Sequence, residues 1–153
     1  MIVRQMRPEE IDVTVNLFRY YANEAAESQP RFGEEFDANS VVKSIRSRTI
    51  HPSTVWLNMM DGGRPVGFIT GTISQCPWNH EITYANAEMF FILQSHRNME
   101  TFRQLIDAFE LWAKEFNVQH ISASDMGVNP ERTKKVFGHL GFKDAVFLYK
   151  EIV

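Results

Sequence analysis

Cysteine is almost missing from this 153-residue chain: Cys76 stands alone. One thiol excludes an internal disulfide framework and a cysteine pair for metal, and it predicts a plain thiol in a reducing compartment. The five histidines, at positions 51, 80, 96, 120 and 139, show no close ligand spacing such as His-x-x-x-His, so no metal is expected. No apolar run approaches the ~18 residues that a membrane span needs. Met1 to Pro8 has neither the apolar core nor the cleavage site of a secretory leader, which makes the cytoplasm the expected compartment. Charge of one sign is not in excess either. Sixteen basic and 19 acidic residues give −3, which argues against a general nucleic-acid binder. A local basic strip, Arg132, Lys134 and Lys135, reads as a solvated helix face. No repeat, linker or low-complexity stretch divides the sequence, so residues 1–153 are expected to form one domain.

What is present is an ordinary globular composition, 44% hydrophobic and 23% charged. Residues 2–6 alternate weakly and predict a first strand. Pro8-Glu9-Glu10 opens a helix in which Ile11, Val15, Phe18, Tyr21 and Ala25 recur at helical spacing to about Glu27. Residues 28–33 read as a loop, and a second helix spans about 38–48. A strand over 54–60, the turn Asp61-Gly62-Gly63-Arg64 and a return strand over 65–74 make a hairpin. Residues 75–82 read as a loop and 83–93 as a strand that ends in an apolar run. The clearest helix follows, with Phe102, Leu105, Ile106, Phe109, Trp112, Ala113 and Phe116 on one face. A buried strand over 118–124, a helix from Asn129-Pro130 to Leu140, stopped by Gly141, and a final strand over 142–152 complete the order. This order predicts a mixed sheet covered by helices on both faces.

Two stretches carry chemistry. Ala87-Glu88-Met89-Phe90-Phe91-Ile92-Leu93-Gln94-Ser95-His96-Arg97 is an apolar strand and a polar turn that leads into the long helix. Asn129, followed by Val136-Phe137-Gly138-His139-Leu140-Gly141-Phe142, frames the last one. Unpaired N–H groups and the dipole at a helix start suit a phosphate. In order and placement, these stretches resemble the GNAT (Gcn5-related N-acetyltransferase) family over nearly the whole chain. In that family a strand ends in an Arg/Gln-x-x-Gly-x-Gly/Ala loop at a helix start, and an Asn…Tyr-x-x-x-Gly-Phe segment follows later.

The resemblance implies an α/β fold with a mixed, mostly antiparallel sheet. It also implies acetyl-CoA as cosubstrate, a primary amine as acceptor (of a small molecule, a polyamine or a protein) and a homodimer. Residues 97–102 (Arg97, Asn98, Met99, Glu100, Thr101 and Phe102) stand where the family binds pyrophosphate. Phe90, Phe91 and Ile92 stand where a splayed strand pairs with the pantetheine arm, and Asn129 and Phe137 match the later segment. The chain departs from the family at three points: Glu100 and Phe102 fill both glycine positions, and Phe137 replaces the tyrosine acid. Loops worn in this way also resemble acetyltransferase-like proteins carried by phages.

An alternative belongs to the loop itself: Asn98 can cap the helix with its own side chain, with Glu100 favoured by the dipole. Glu88, which interrupts an apolar strand, is the first candidate base, and Asp125 the second. Ser124, His139 and Tyr149 are the candidate acids. Two readings follow, an N-acetyltransferase acting by direct amine attack, and a binding or assembly protein that keeps the fold without catalysis.

Overall fold

The computed structural model describes residues 1–125, 129–145, 148 and 150–152. Its strands are β1 (Ile2–Gln5), β2 (Thr54–Asp61), β3 (Arg64–Cys76), β4 (Asn79–Ile92) and β5 (His120–Ala123), in one sheet of order β1-β2-β3-β4-β5. The first four pair antiparallel, and β5 runs parallel to β4. A parallel neighbour needs a crossover connection, and α4 (Met99–Lys114) supplies it. The other helices are α1 (Ile11–Ser28), entered through a 3-10 turn over Pro8–Glu10, then α2 (Arg31–Glu34), α3 (Ala38–Ile50) and α5 (Pro130–Gly138). At the β2–β3 hairpin Gly62 has φ +60, which explains why glycine occupies that turn.

Alternation along the strands feeds two cores. On one face Val55, Leu57, Met59 and Ile69 pack with the α4 stripe Phe102, Leu105, Ile106 and Phe109, and with Phe137 of α5. On the other, Trp56, Phe68 and Phe91 meet Val15 and Leu17 of α1 and Ile45 of α3. Helices therefore cover both faces, as the order of elements predicts.

One irregularity positions the candidate site. Thr70 lies opposite Met89, but Gly71 lies opposite Ala87, so Glu88 is an extra residue in β4. Alternation slips across it: Ala85 and Ala87 face the α4 core, and so do Phe90 and Ile92, while Met89 and Phe91 face the other. Such a bulge bends its strand and sharpens the local twist.

Several expectations are corrected. The loop over 28–33 contains the single turn α2, which is too short to leave a periodic signal and starts where Pro30 presets φ. The loop over 75–82 is a hairpin: Cys76 pairs with Asn79 around Pro77 and Trp78, and cross-strand bonding overrides weak local propensity. The strand over 118–124 shrinks to β5 and alternates exposed with half-buried, because it lies at the edge of the described sheet. Helix α5 ends at Gly138, before Gly141 takes φ +87 in the following turn. Of the last strand, residues 142–145, 148 and 150–152 carry no strand, and 146, 147 and 149 lie outside the described residues.

At the N-terminus Glu10 is buried and accepts from the Arg4 guanidinium and from the Arg7 N–H at 3.1 Å. Burial alone would push its carboxyl up; the bonds to Arg4 and Arg7 outweigh that and hold it below the usual carboxylate range. Its stabilisation is therefore complete above that range and is lost as pH falls through the depressed value. Denaturation midpoints measured from pH 6 to pH 3 should fall less steeply in Glu10→Gln than in the parent.

Candidate active site

The strands β4 and β5 separate where the bulge stands. Their pairing runs from Tyr84 opposite His120 to Ala87 opposite Ala123, and stops there. Beyond it β4 continues to Ile92 with its second edge unpaired by β5. Leu93 N–H points to Val66 of β3, while the Ile92 carbonyl accepts from Arg97. Strand alternation then places the N–H and C=O of Phe90 on the open edge. A small cavity of about 40 Å³ lies in this wedge, bounded by Met89, Phe90 and Phe91, by Ser124 and Asp125, by Asn129, Arg132 and Thr133, and by Tyr21, Glu24 and Ala25 of α1. It shares Tyr21, Met89, Ser124, Asp125 and Thr133 with a groove of about 1540 Å³ that is also lined by β5 and by Phe18, Phe32, Glu88 and Phe137.

The turn into α4 is built differently from the expectation for a bare helix start. Asn98 Oδ1 accepts from Thr101 N–H at 2.9 Å, and Thr101 Oγ1 accepts from Asn98 N–H at 3.1 Å. This reciprocal cap satisfies two donors. Among the described residues the N–H groups of Met99 and Glu100 have no acceptor. The Glu100 side chain is exposed, whereas Phe102 is buried with its ring edge-on to Phe90 and Phe137.

Arg97 turns back along the strand. Its Nη1 and Nη2 donate to Glu24 Oε1 and Oε2 at 2.9 Å each, and its Nε and Nη2 donate to the Ile92 carbonyl at 3.1 and 2.7 Å. Arg132 of α5 approaches the same Glu24 at 3.7 Å. Two guanidinium groups thus face one carboxylate, and the Asp125 carboxylate lines the same cavity.

The remaining candidates separate by place. Glu88 lines the groove, with Oε2 engaged by Arg48 of α3 and Oε1 without a partner among the described residues. Ser124 and Asp125 line both cavities, and Asp125 Oδ2 accepts from Asn129 N–H and Thr133 Oγ1 at 3.0 Å each. The Asn129 side chain caps α5 through Arg132 N–H at 3.2 Å. His139 is exposed and lines neither cavity. Phe137 is buried against Phe90, Phe102 and Phe142. Tyr149 lies outside the described residues.

Sequence reasoning missed Tyr21, Glu24, Arg48 and Arg132. Tyr21 appears in the sequence as one member of an apolar helical stripe, and Arg132 as part of a solvated face. Glu24 lies 73 residues from Arg97, and Arg48 lies 40 residues from Glu88. No local pattern reports contacts at such separations. Among the described residues no group of three histidines, cysteines or carboxylates could hold a metal ion. No helix among them is long and apolar enough to cross a membrane.

Known proteins share this frame. Aminoglycoside N-acetyltransferase AAC(6')-Iy, solved in complex with CoA, superposes with a TM-score of 0.77 at 18% identity, covering 98% of this chain and 93% of that one. A transcriptional regulator from Bacillus halodurans C-125 superposes with a TM-score of 0.79 at 15% identity, covering 99% of each. Aminoglycoside 6'-N-acetyltransferase AAC(6')-IG from Acinetobacter haemolyticus gives 0.73 at 14% identity, covering 100% of each. These identities establish a common fold. No curated protein sequence matches the chain. The sequence model of the Acetyltransferase (GNAT) family matches residues 18–142, which include both the strand–turn–helix stretch and the Asn129–Phe142 segment. The chain belongs to the GNAT acetyltransferase family.

Proposed function

We propose that this protein moves an acetyl group from acetyl-CoA to a primary amine by direct attack. The observation that carries the reading is the open edge of β4 beyond Ala87, where the main-chain groups of Phe90 have no partner among the described residues. A peptide-like pantetheine arm suits such an edge as an added strand would. The Met99 and Glu100 amides suit its diphosphate, and Arg132, which lines the wedge next to Glu24, offers it a positive charge. Acetyl-CoA supplies an activated acetyl thioester and a thiol leaving group. Within this reading Glu88 Oε1 accepts a proton from the incoming ammonium, and Glu88 and Asp125 draw a cationic acceptor into the groove. CoA complexes and an aminoglycoside bisubstrate analogue among the structural relatives support an amine acceptor of this general kind.

A second reading, a GNAT-fold binding or assembly protein without catalysis, is favoured by the internal cap on α4 and by the engagement of Arg97 with Glu24. Calorimetric titration with acetyl-CoA separates the two. The enzyme reading expects saturable binding, weakened about tenfold in Arg132→Glu, because reversing a charge a few ångströms from a phosphate is worth roughly 1–3 kcal/mol at intermediate dielectric. No heat up to millimolar acetyl-CoA would leave the second reading in place.

A further inference from the structure

The family's tyrosine position is filled by Phe137, and its ring is enclosed among Phe90, Phe102 and Phe142, so nothing at that position can carry a proton. A phenol stands on the opposite face of β4. The Tyr21 ring is held edge-on by Phe18, Phe68 and Phe91 at centroid distances of 5.2, 5.7 and 5.8 Å. Three such contacts fix its direction. Its hydroxyl has no hydrogen-bond partner among the described residues, yet it is not sealed off as a buried unsatisfied atom. Tyr21 also lines both the wedge cavity and the groove, and so stands where a donor in one would meet an acceptor in the other.

The other proton carriers at that junction are less suited. Asp125 already accepts two bonds, and the Thr133 hydroxyl donates one of them. Ser124 has an aliphatic hydroxyl, a far weaker acid than a phenol. A fixed aromatic ring with a free hydroxyl is how a site presents one proton without disturbing its packing.

We propose that Tyr21 is a catalytic proton relay of this enzyme, an inference that rests on the acetyltransferase reading above. The amine nitrogen attacks the thioester carbonyl, the C–N bond forms and the C–S bond breaks. As sulfur departs it takes the phenol proton, while the proton shed by nitrogen passes to the phenol oxygen. Tyr21 thus ends as it began, and the products are the amide and the free thiol. Burial first, and the nearby Asp125 charge second, push the phenol up to about 12, with Arg31 opposing. The phenol therefore keeps its proton at neutral pH, as a proton donor must.

The test uses the full chain, with spermidine and hydroxylamine as probe amines, and reads thiol release with a colorimetric reagent. Tyr21→Phe keeps the ring and its three contacts, so its thermal midpoint should stay within about 3 °C of the parent and its calorimetric affinity for coenzyme A within twofold. The expected result is a fall in kcat of about 100-fold or more, with little change in KM for acetyl-CoA, as loss of a general acid–base group produces. Thiol release within threefold of the parent in Tyr21→Phe would overturn the relay while leaving the acetyltransferase intact. A parent protein that binds acetyl-CoA but releases no thiol with either amine, or that fails to bind it, would overturn the relay together with the reading beneath it.

Discussion

Restoring the family's glycine at Phe102 should cost the protein about 4–6 kcal/mol of stability and gain it no coenzyme affinity. Phe102 is 7% exposed and is edge-on to Phe137 at 5.0 Å and to Phe90 at 6.1 Å. Deleting a buried phenylalanine ring costs roughly 3–5 kcal/mol, and glycine rather than alanine in a helix adds about 1. Against a typical total of 5–15 kcal/mol, that loss is severe. The ring points into the core, away from the Met99 and Glu100 amides, so removing it opens no path to them. Urea denaturation of Phe102→Gly beside Phe102→Leu is the measurement. A glycine variant as stable as the parent, or one with tighter acetyl-CoA binding, would show that the ring obstructs a phosphate site and is not a core element.

Gly71→Ala is expected to lose about 3 kcal/mol and to disturb the wedge as well. A Cβ at this position would come within 2.3 Å of Phe109 Cε2, 2.7 Å of Phe109 Cζ and 2.8 Å of the Asn86 carbonyl. Phe109 is fully buried, and its ring lies tilted against Trp112 at 5.5 Å, so it has little room to yield. Overpacking of this kind costs roughly 1–3 kcal/mol, at the upper end when backbone is also touched. Gly71 faces Ala87, one residue before the bulge, and the displaced strand would carry Glu88 and Phe90 with it. Combining Gly71→Ala with Phe109→Leu should return part of the loss, since contacting residues are not additive. Equal and additive losses in the double variant would place the strain elsewhere.

The apolar stripe from Phe102 to Phe116 was legible as a helix, and Asn98 was legible as a cap, because both signals lie within one or two turns of chain. Phe90, Phe91 and Ile92 were legible as a strand of interest for the same reason. The bulge at Glu88 was not. An extra residue in an apolar run looks like an ordinary change of face until the partner strand is known. The hairpin around Pro77 and Trp78 was hidden by residues that favour loops, and its ladder comes from β3 rather than from local preference. Arg97 was recognised as a member of the turn, but its direction was not: the guanidinium faces Glu24, which the sequence places in another helix.

Periodicity, caps and turn residues by themselves determined the long helices and the first four strands of this chain and the order in which they follow one another. They do so because hydrogen bonding within a helix, a cap or a hairpin turn depends on neighbours a few residues away. Only the folded chain decided that Arg97 answers Glu24, that Arg48 answers Glu88 and that Tyr21 faces the gap between β4 and β5. Those side chains meet across tens of residues, and charge pairing and packing act through space rather than along the sequence.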